Sequence, residues 1–196
     1  MSRLVCVFGL LLVAGLSAKA RHHHAAPVPP PPFQVGGLQF SIPDAWVAEP
    51  SQSPARAAQW LIPPPRDAGT AGSTDGVEVT VFFFGPGIGG SAQENIDAWA
   101  GTITAPDGSP AKATPQKRTV MGHHVTEVFF SGTYSQVSPQ PGLPPTLKPG
   151  YALIGAVVEN PGGTIYWRVT GPAAQVMALQ PDFDQALASL KPAPAP

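Results

Sequence analysis

Apolar and polar residues alternate over much of the chain, which is the pattern of β-strands. Strand-like runs lie at Gly37–Pro43, Ala57–Ile62 and Val77–Phe84. The unbroken apolar end of the third run indicates a central strand that is buried on both faces. Further on, Pro115–Tyr134 predicts two strands joined at Met121-Gly122, and Tyr151–Gly171 predicts a hairpin around Asn160-Pro161-Gly162-Gly163.

Two segments have helical spacing. Ser91 and Glu94 form a capping-box pattern that predicts a helix start at Ser91. Its apolar stripe comprises Ile96, Trp99, Ala100 and Ile103. Pro172 suits the first position of a second helix, whose stripe comprises Val176, Leu179, Phe183, Leu187 and Leu190. Strands therefore precede one helix, and more strands precede another, which predicts an α+β fold with a mostly antiparallel sheet flanked by helices.

A glycine-rich loop joins the Val77–Phe84 strand to the first helix. Gly85, Gly87 and Gly90 match the spacing G-x-G-x-x-G. Dinucleotide binding also requires a βαβ unit and an acidic residue about 20 positions further on, at the end of the next strand. That context is missing, so we interpret the loop as a sharp turn and expect no cofactor. A small anion bound at Gly89, Gly90 and Ser91 remains an alternative, weakened by Glu94 in the first helical turn.

The N-terminal segment has the features of a secretory signal. Arg3 precedes an apolar run, Leu4–Leu16, and Ala18-Lys19-Ala20 suits cleavage before Arg21. The run is too short to span a bilayer, which takes about 20 residues. We expect an exported protein, periplasmic or extracellular, without a transmembrane anchor after cleavage.

The chain divides into four predicted segments. Residues 1–20 are the signal peptide, 21–36 a disordered linker rich in Pro and His, 37–191 a single domain, and 192–196 a disordered tail. The only cysteine, Cys6, lies in the signal peptide, which excludes disulfides and cysteine chemistry in the mature chain. With 11 basic and 12 acidic residues and no basic stripe, the composition argues against binding to nucleic acid.

Candidate catalytic groups are few. His123 and His124 begin a strand and therefore face opposite sides of the sheet, and one of them is a possible site for a hydrolase-like activity. The carboxylates show no obvious acid/base pair, and Asp182 and Asp184 are expected on a solvated helix face.

The four tryptophans are expected in the core or at its rim. Alternation places Arg168 on the face of the sheet opposite Trp167.

A histidine tract follows the predicted cleavage site. His22, His23 and His24 come directly after Arg21. A free amine at Arg21, two amides and the imidazole of His23 would suit square-planar Cu²⁺ or Ni²⁺. An unstructured polar tract is the simpler interpretation.

Several short motifs together resemble a known family. They are Pro43-x-x-Trp46, Arg56-Ala-Ala-Gln-Trp60, Gly89-Gly90 with Asn95-Ile96-x-x-Trp99, Gly132-Thr133-Tyr134, Leu153–Glu159, Gly171-Pro172, and Phe183 with Ser189-Leu190. With them, the chain resembles bacterial secreted proteins of the PsbP-like fold. The resemblance implies an α/β/α sandwich and no particular function, because members of that fold do not share one.

The sequence thus predicts a non-catalytic, exported binding or accessory module. It would bind an unknown protein or a small ligand through one face of the sheet. The alternatives are an enzyme with a site near His123 and His124, an N-terminal metal-binding protein, and a structural component of the cell envelope.

Overall fold

The computed structural model describes residues 31–51, 53–65, 75–138 and 140–194. In these ranges the chain forms eleven strands and two helices. The strands are β1 (Phe33–Val35), β2 (Leu38–Phe40), β3 (Val47–Ala48), β4 (Arg56–Ile62), β5 (Val77–Phe83), β6 (Ile103–Thr104), β7 (Gln116–Val120), β8 (His123–Gln136), β9 (Thr146–Val158), β10 (Ile165–Pro172) and β11 (Lys191–Pro192). The helices are α1 (Ala92–Ala100) and α2 (Ala173–Ala188).

The strands make two sheets. The main sheet has the order β3-β4-β5-β10-β9-β8-β6, and β7 pairs with β8. The small sheet has the order β1-β2-β11. All these strand pairs are antiparallel, which confirms the predicted α+β fold with a mostly antiparallel sheet.

The first face of the main sheet is covered by α2 and the small sheet. Trp167 of β10 is fully buried there and stacks on Trp60 of β4 with ring centroids 6.0 Å apart. Each residue of the predicted α2 stripe is also buried in this core. Alternate residues of the sheet and the residues of the helix that recur every 3 to 4 positions thus meet in one apolar layer, as amphipathic packing requires.

The second face is covered by α1, which packs over β6, β8 and β9. The indole of Trp99 lies directly against Gly155 of β9, so closely that a Cβ atom at position 155 would overlap the ring. Helix, sheet and helix therefore form the three layers of an α/β/α sandwich. The predicted α1 stripe is wrong at one position, because the helix ends at Ala100 and Ile103 contributes to the same core from β6.

The ends of the domain differ from the expected boundaries. Phe33–Val35, which fell in the predicted linker, form β1. The Phe33 ring packs edge-on against Trp60 and Trp167, and this burial explains why the segment is ordered. Pro172 is the residue that precedes α2 rather than its first residue. The predicted signal peptide lies outside the described residues, and no helix among those described is long and apolar enough to cross a bilayer.

Candidate functional site

The glycine loop is a turn into a capped helix. Gly85, Gly87 and Gly90 have φ values of +91°, +73° and +81°, which favour glycine. The Ser91 hydroxyl accepts a hydrogen bond from the Glu94 backbone at 3.2 Å, and the Ser91 backbone N–H donates to the Glu94 carboxylate at 2.7 Å. The predicted capping box is therefore confirmed.

The same geometry bears on the anion site predicted at Gly89, Gly90 and Ser91. The carboxylate of Glu94 already receives the Ser91 N–H, and this hydrogen bond holds the pKa of Glu94 below its ordinary value. The Gly90 carbonyl accepts from the Tyr166 hydroxyl at 2.7 Å. The negatively charged carboxylate of Glu94 thus lies where an anion would bind. Anion binding at the loop stays a prediction.

Neither of the two histidines at the start of β8 contacts a carboxylate side chain within the described ranges. His123 Nδ1 lies 3.2 Å from the Glu159 carbonyl oxygen. His124 lines the same open surface cavity as His123 and Glu159. Within those ranges no three His, Cys, Asp or Glu side chains converge as a metal site would require. The tract His22, His23 and His24 lies outside the described residues, so its metal binding stays a prediction.

The half of the second sheet face formed by β4, β5 and β10 lies beside α1 and carries mainly polar side chains. Strand register and alternation place these side chains on one surface. We call this surface the open half-face; it comprises Arg56, Gln59, Leu61, Glu78, Thr80, Phe82, Arg168 and Thr170. Thr80 and Gln59 are buried although both are polar. A sheet surface that has buried polar groups, and that no helix of the described residues crosses, is a candidate binding surface.

Arg56 has charged and polar partners within the open half-face. Its Nη1 donates to the Glu78 carboxylate at 2.8 Å and to the Gln59 side-chain oxygen at 2.6 Å. Its guanidinium carbon also lies 5.8 Å from the centre of the Phe82 ring. This cation therefore has a carboxylate, an amide and an aromatic partner.

Arg168 approaches the same ring without comparable partners. Its guanidinium carbon lies 5.5 Å from the Phe82 centroid. Its Nε is buried and has no acceptor among the described residues. Trp167 points to the opposite face, as alternation predicted. Arg168 thus brings a positive charge to the open half-face without a carboxylate of the described chain to balance it.

A second polar cluster borders the open half-face. The Lys148 ammonium lies 2.7 Å from the Asp75 carboxylate, to which the Tyr151 hydroxyl also donates. These hydrogen bonds, that of Lys148 foremost, hold the pKa of Asp75 below its ordinary value. A cavity of about 220 Å³ links this cluster to Glu78 and Thr170. Because Lys148 and Asp75 neutralise each other, the cluster adds no net charge to the surface.

A carboxyl pair lies on the other side of the sheet, beneath α2. Arg118 Nη2 is 2.7 Å from Glu127 and 3.4 Å from Asp184. The Glu127 side chain is only 14% exposed, and burial raises its pKa to about 7 although Arg118 opposes the shift; the Asp184 carboxylate adds to it. The surrounding cavity of about 340 Å³ is also lined by Lys112 and Gln180.

This pair corrects the sequence interpretation. We expected no obvious acid/base pair, yet Asp184 contacts Arg118 and adds to the raised pKa of Glu127. The Asp184 side chain is still 41% exposed, which agrees with the expected solvated helix face. Asp182 is exposed as predicted. The available signal was the pairing of Gln116 with Glu127 across the predicted hairpin, which places Arg118 near Glu127. The position of α2 above them had no signal in the sequence.

Comparisons with known proteins concern the fold alone. No family model matches the chain, and no curated protein matches it. Among solved structures, it is similar to the PsbP protein (CyanoP) of Synechocystis sp. PCC 6803, with 13% identity, 81% of this chain and 88% of that chain covered, and a TM-score of 0.49. A PsbP protein is thus among the matches.

Two further structures are similar at the same level. LpqN of Mycobacterium tuberculosis, described as involved in cell envelope biogenesis, has 12% identity and a TM-score of 0.49, with 80% of this chain and 83% of that chain covered. A protein of unknown function from Pseudomonas aeruginosa has 13% identity and a TM-score of 0.42, with 84% and 98% covered. Likeness at this identity carries no function over to this chain.

Proposed function

We propose that this chain is an exported, non-catalytic binding or accessory module that holds its ligand or partner on the open half-face. The observation that supports the proposal is the unequal covering of the main sheet. The small sheet and α2 cover the first face, whereas α1 packs over β6, β8 and β9 on the second face. In the described ranges, the remaining half presents two arginines and one carboxylate that are partly exposed, which are groups that bind by hydrogen bonds and charge.

Position-specific photo-crosslinking in the exporting cell tests this proposal. A photoreactive phenylalanine analogue replaces Leu61, which is 39% exposed on the open half-face. The matched control carries the analogue at Met177, which is 60% exposed on α2 across the sheet. We expect an adduct of defined mass from position 61 and none of that mass from position 177. Equal adducts from both positions, or an adduct from position 177 alone, would contradict the proposal.

An acid/base enzyme is the second candidate, and one observation favours it. Glu127 has a pKa of about 7 and lies beside Asp184 in a cavity, and a general acid or base works best near the operating pH. This site replaces His123 and His124 as the more specific catalytic hypothesis, since those histidines lack a described carboxylate partner.

A panel of hydrolase substrates separates the two candidates. The binding proposal predicts the same background rate for the natural chain, Glu127→Gln and His124→Ala. Turnover that Glu127→Gln removes and His124→Ala retains would establish the enzyme instead. Turnover that only His124→Ala removes would restore the histidine-based alternative.

A further inference from the structure

The two arginines of the open half-face differ in their partners. Both guanidinium groups approach the Phe82 ring, Arg56 at 5.8 Å and Arg168 at 5.5 Å. Arg56 is held by Glu78 and Gln59. Arg168 makes no side-chain hydrogen bond or ion pair to another described residue, and its Nε is buried. The two Nη atoms of Arg168 also have no hydrogen-bond partner among the described residues, and they are not buried, so a ligand can reach them.

We propose that Arg168 is the anchor of a carboxylate-binding site, so that the ligand of the open half-face carries a carboxylate group. The inference rests on the proposed binding function of this surface and deepens it. A guanidinium presents two parallel N–H donors along its edge, which match the two oxygens of a carboxylate. Its contact with Phe82 restricts its orientation and lowers the entropy that binding must remove.

The local charges favour a group with a single negative charge. Arg56 and Arg168 supply two positive charges and Glu78 one negative charge, which leaves one positive charge unbalanced. Asp75 and Lys148 balance each other at the border of the surface. A carboxylate neutralises the unbalanced positive charge, whereas a phosphate dianion would leave one negative charge unbalanced beside Glu78 on a partly buried surface. The surface therefore suits a carboxylate better than a phosphate.

Titration with benzoate, followed by NMR at constant ionic strength, tests the inference. We expect saturable shifts of the amide signals of Thr80, Arg168 and Thr170, and none with benzamide, which has the same shape without the charge. Inorganic phosphate should bind more weakly than benzoate. Arg168→Gln should weaken benzoate binding about tenfold or more, the range of a lost charge-assisted hydrogen bond.

Two further variants complete the experiment. Lys117→Gln removes an equal charge from an exposed position of β7 and should leave benzoate affinity unchanged. Arg168→Lys keeps the charge but loses the paired donors; it should weaken binding even if Arg168→Gln fails to fold. Benzoate binding that is absent, unaltered in Arg168→Lys, or weaker than phosphate binding would overturn the inference. If crosslinking at position 61 persists in that case, the proposed binding surface stands and only its carboxylate specificity is lost.

Discussion

At the scale of single residues, the groups around a side chain determine its pKa, as Glu127 shows. Glu127 lies on β8 between the apolar residues Val125 and Phe129 of the same face, and burial raises its pKa to about 7. Arg118 and Asp184 are its charged neighbours from β7 and α2, and Lys112 lines the same cavity. A carboxyl that would be charged in the unfolded chain is therefore partly protonated in the folded one at neutral pH.

This shift predicts a pH dependence of stability that Glu127→Gln removes. The folded pKa of about 7 lies above the reference value of 4.5, so the folded state binds more protons between these values. The stabilisation is fully present below about pH 4.5 and is lost as pH rises through about 7, by an amount on the order of 1–3 kcal/mol.

Urea unfolding of both proteins across this pH range measures the effect. The free energy of unfolding of Glu127→Gln should rise relative to that of the natural chain as pH increases. Glu49→Gln, which changes an exposed carboxylate, is the control and should show no such trend. A difference between Glu127→Gln and the natural chain that stays constant with pH would refute the raised pKa.

A second residue-scale prediction concerns the contact of Trp99 with Gly155. Because a Cβ at position 155 would overlap the indole, Gly155→Ala should destabilise the fold by about 1–3 kcal/mol through overpacking. Gly101→Ala is the matched control, since its nearest neighbouring atom would lie 3.4 Å away and its φ is −63°. Thermal unfolding monitored by circular dichroism would compare them, and equal melting temperatures would show that α1 moves freely to accommodate the methyl group.

At the scale of elements, α1 depends on its N-terminal cap. Ser91→Ala removes the hydroxyl that accepts from the Glu94 N–H and should cost about 0.5–2 kcal/mol. Gln93→Ala is the control, because it changes an exposed residue of the same turn without touching the cap. Chemical denaturation of both variants measures the difference. A loss in Gln93→Ala as large as that in Ser91→Ala would show that the cap contributes no more than the exposed hydrogen bond from Gln93 to Asp97.

The elements that the sequence predicts well are those with local signals. The hairpin of β9 and β10, the capping box at Ser91 and the α2 stripe follow from turn chemistry and periodicity over short distances. β1 was missed because its preceding prolines read as a linker, whereas its burial comes from the distant Trp60 and Trp167. Tertiary packing therefore determines the structure of β1, against the local sequence signal.

Local signals likewise predict one part of the candidate site and not the rest. Alternation along β10 correctly opposes Arg168 to Trp167, since that relation needs only the strand period. The pairing of Glu127 with Asp184 needs the position of α2 over β8, and the open half-face needs the position of α1 over β9. Those arrangements depend on how distant layers pack, which single-residue patterns do not encode.

At the scale of the whole molecule, the described residues cover one face of the main sheet and half of the other. Apolar residues around Trp167 form a continuous core on the first face. The open half-face then presents fixed polar side chains on strands rather than on loops, which preserves their geometry for binding. The central claim is that a ligand or partner binds the open half-face in the cell.

Cysteine labelling tests that claim most directly. The only natural cysteine, Cys6, lies in the predicted signal peptide, so Leu61→Cys and Met177→Cys would each give a mature chain with one thiol. We predict that a small maleimide labels position 61 more slowly in intact cells than after purification, while position 177 labels at the same rate in both. An unchanged labelling rate at position 61 before and after purification would contradict the account.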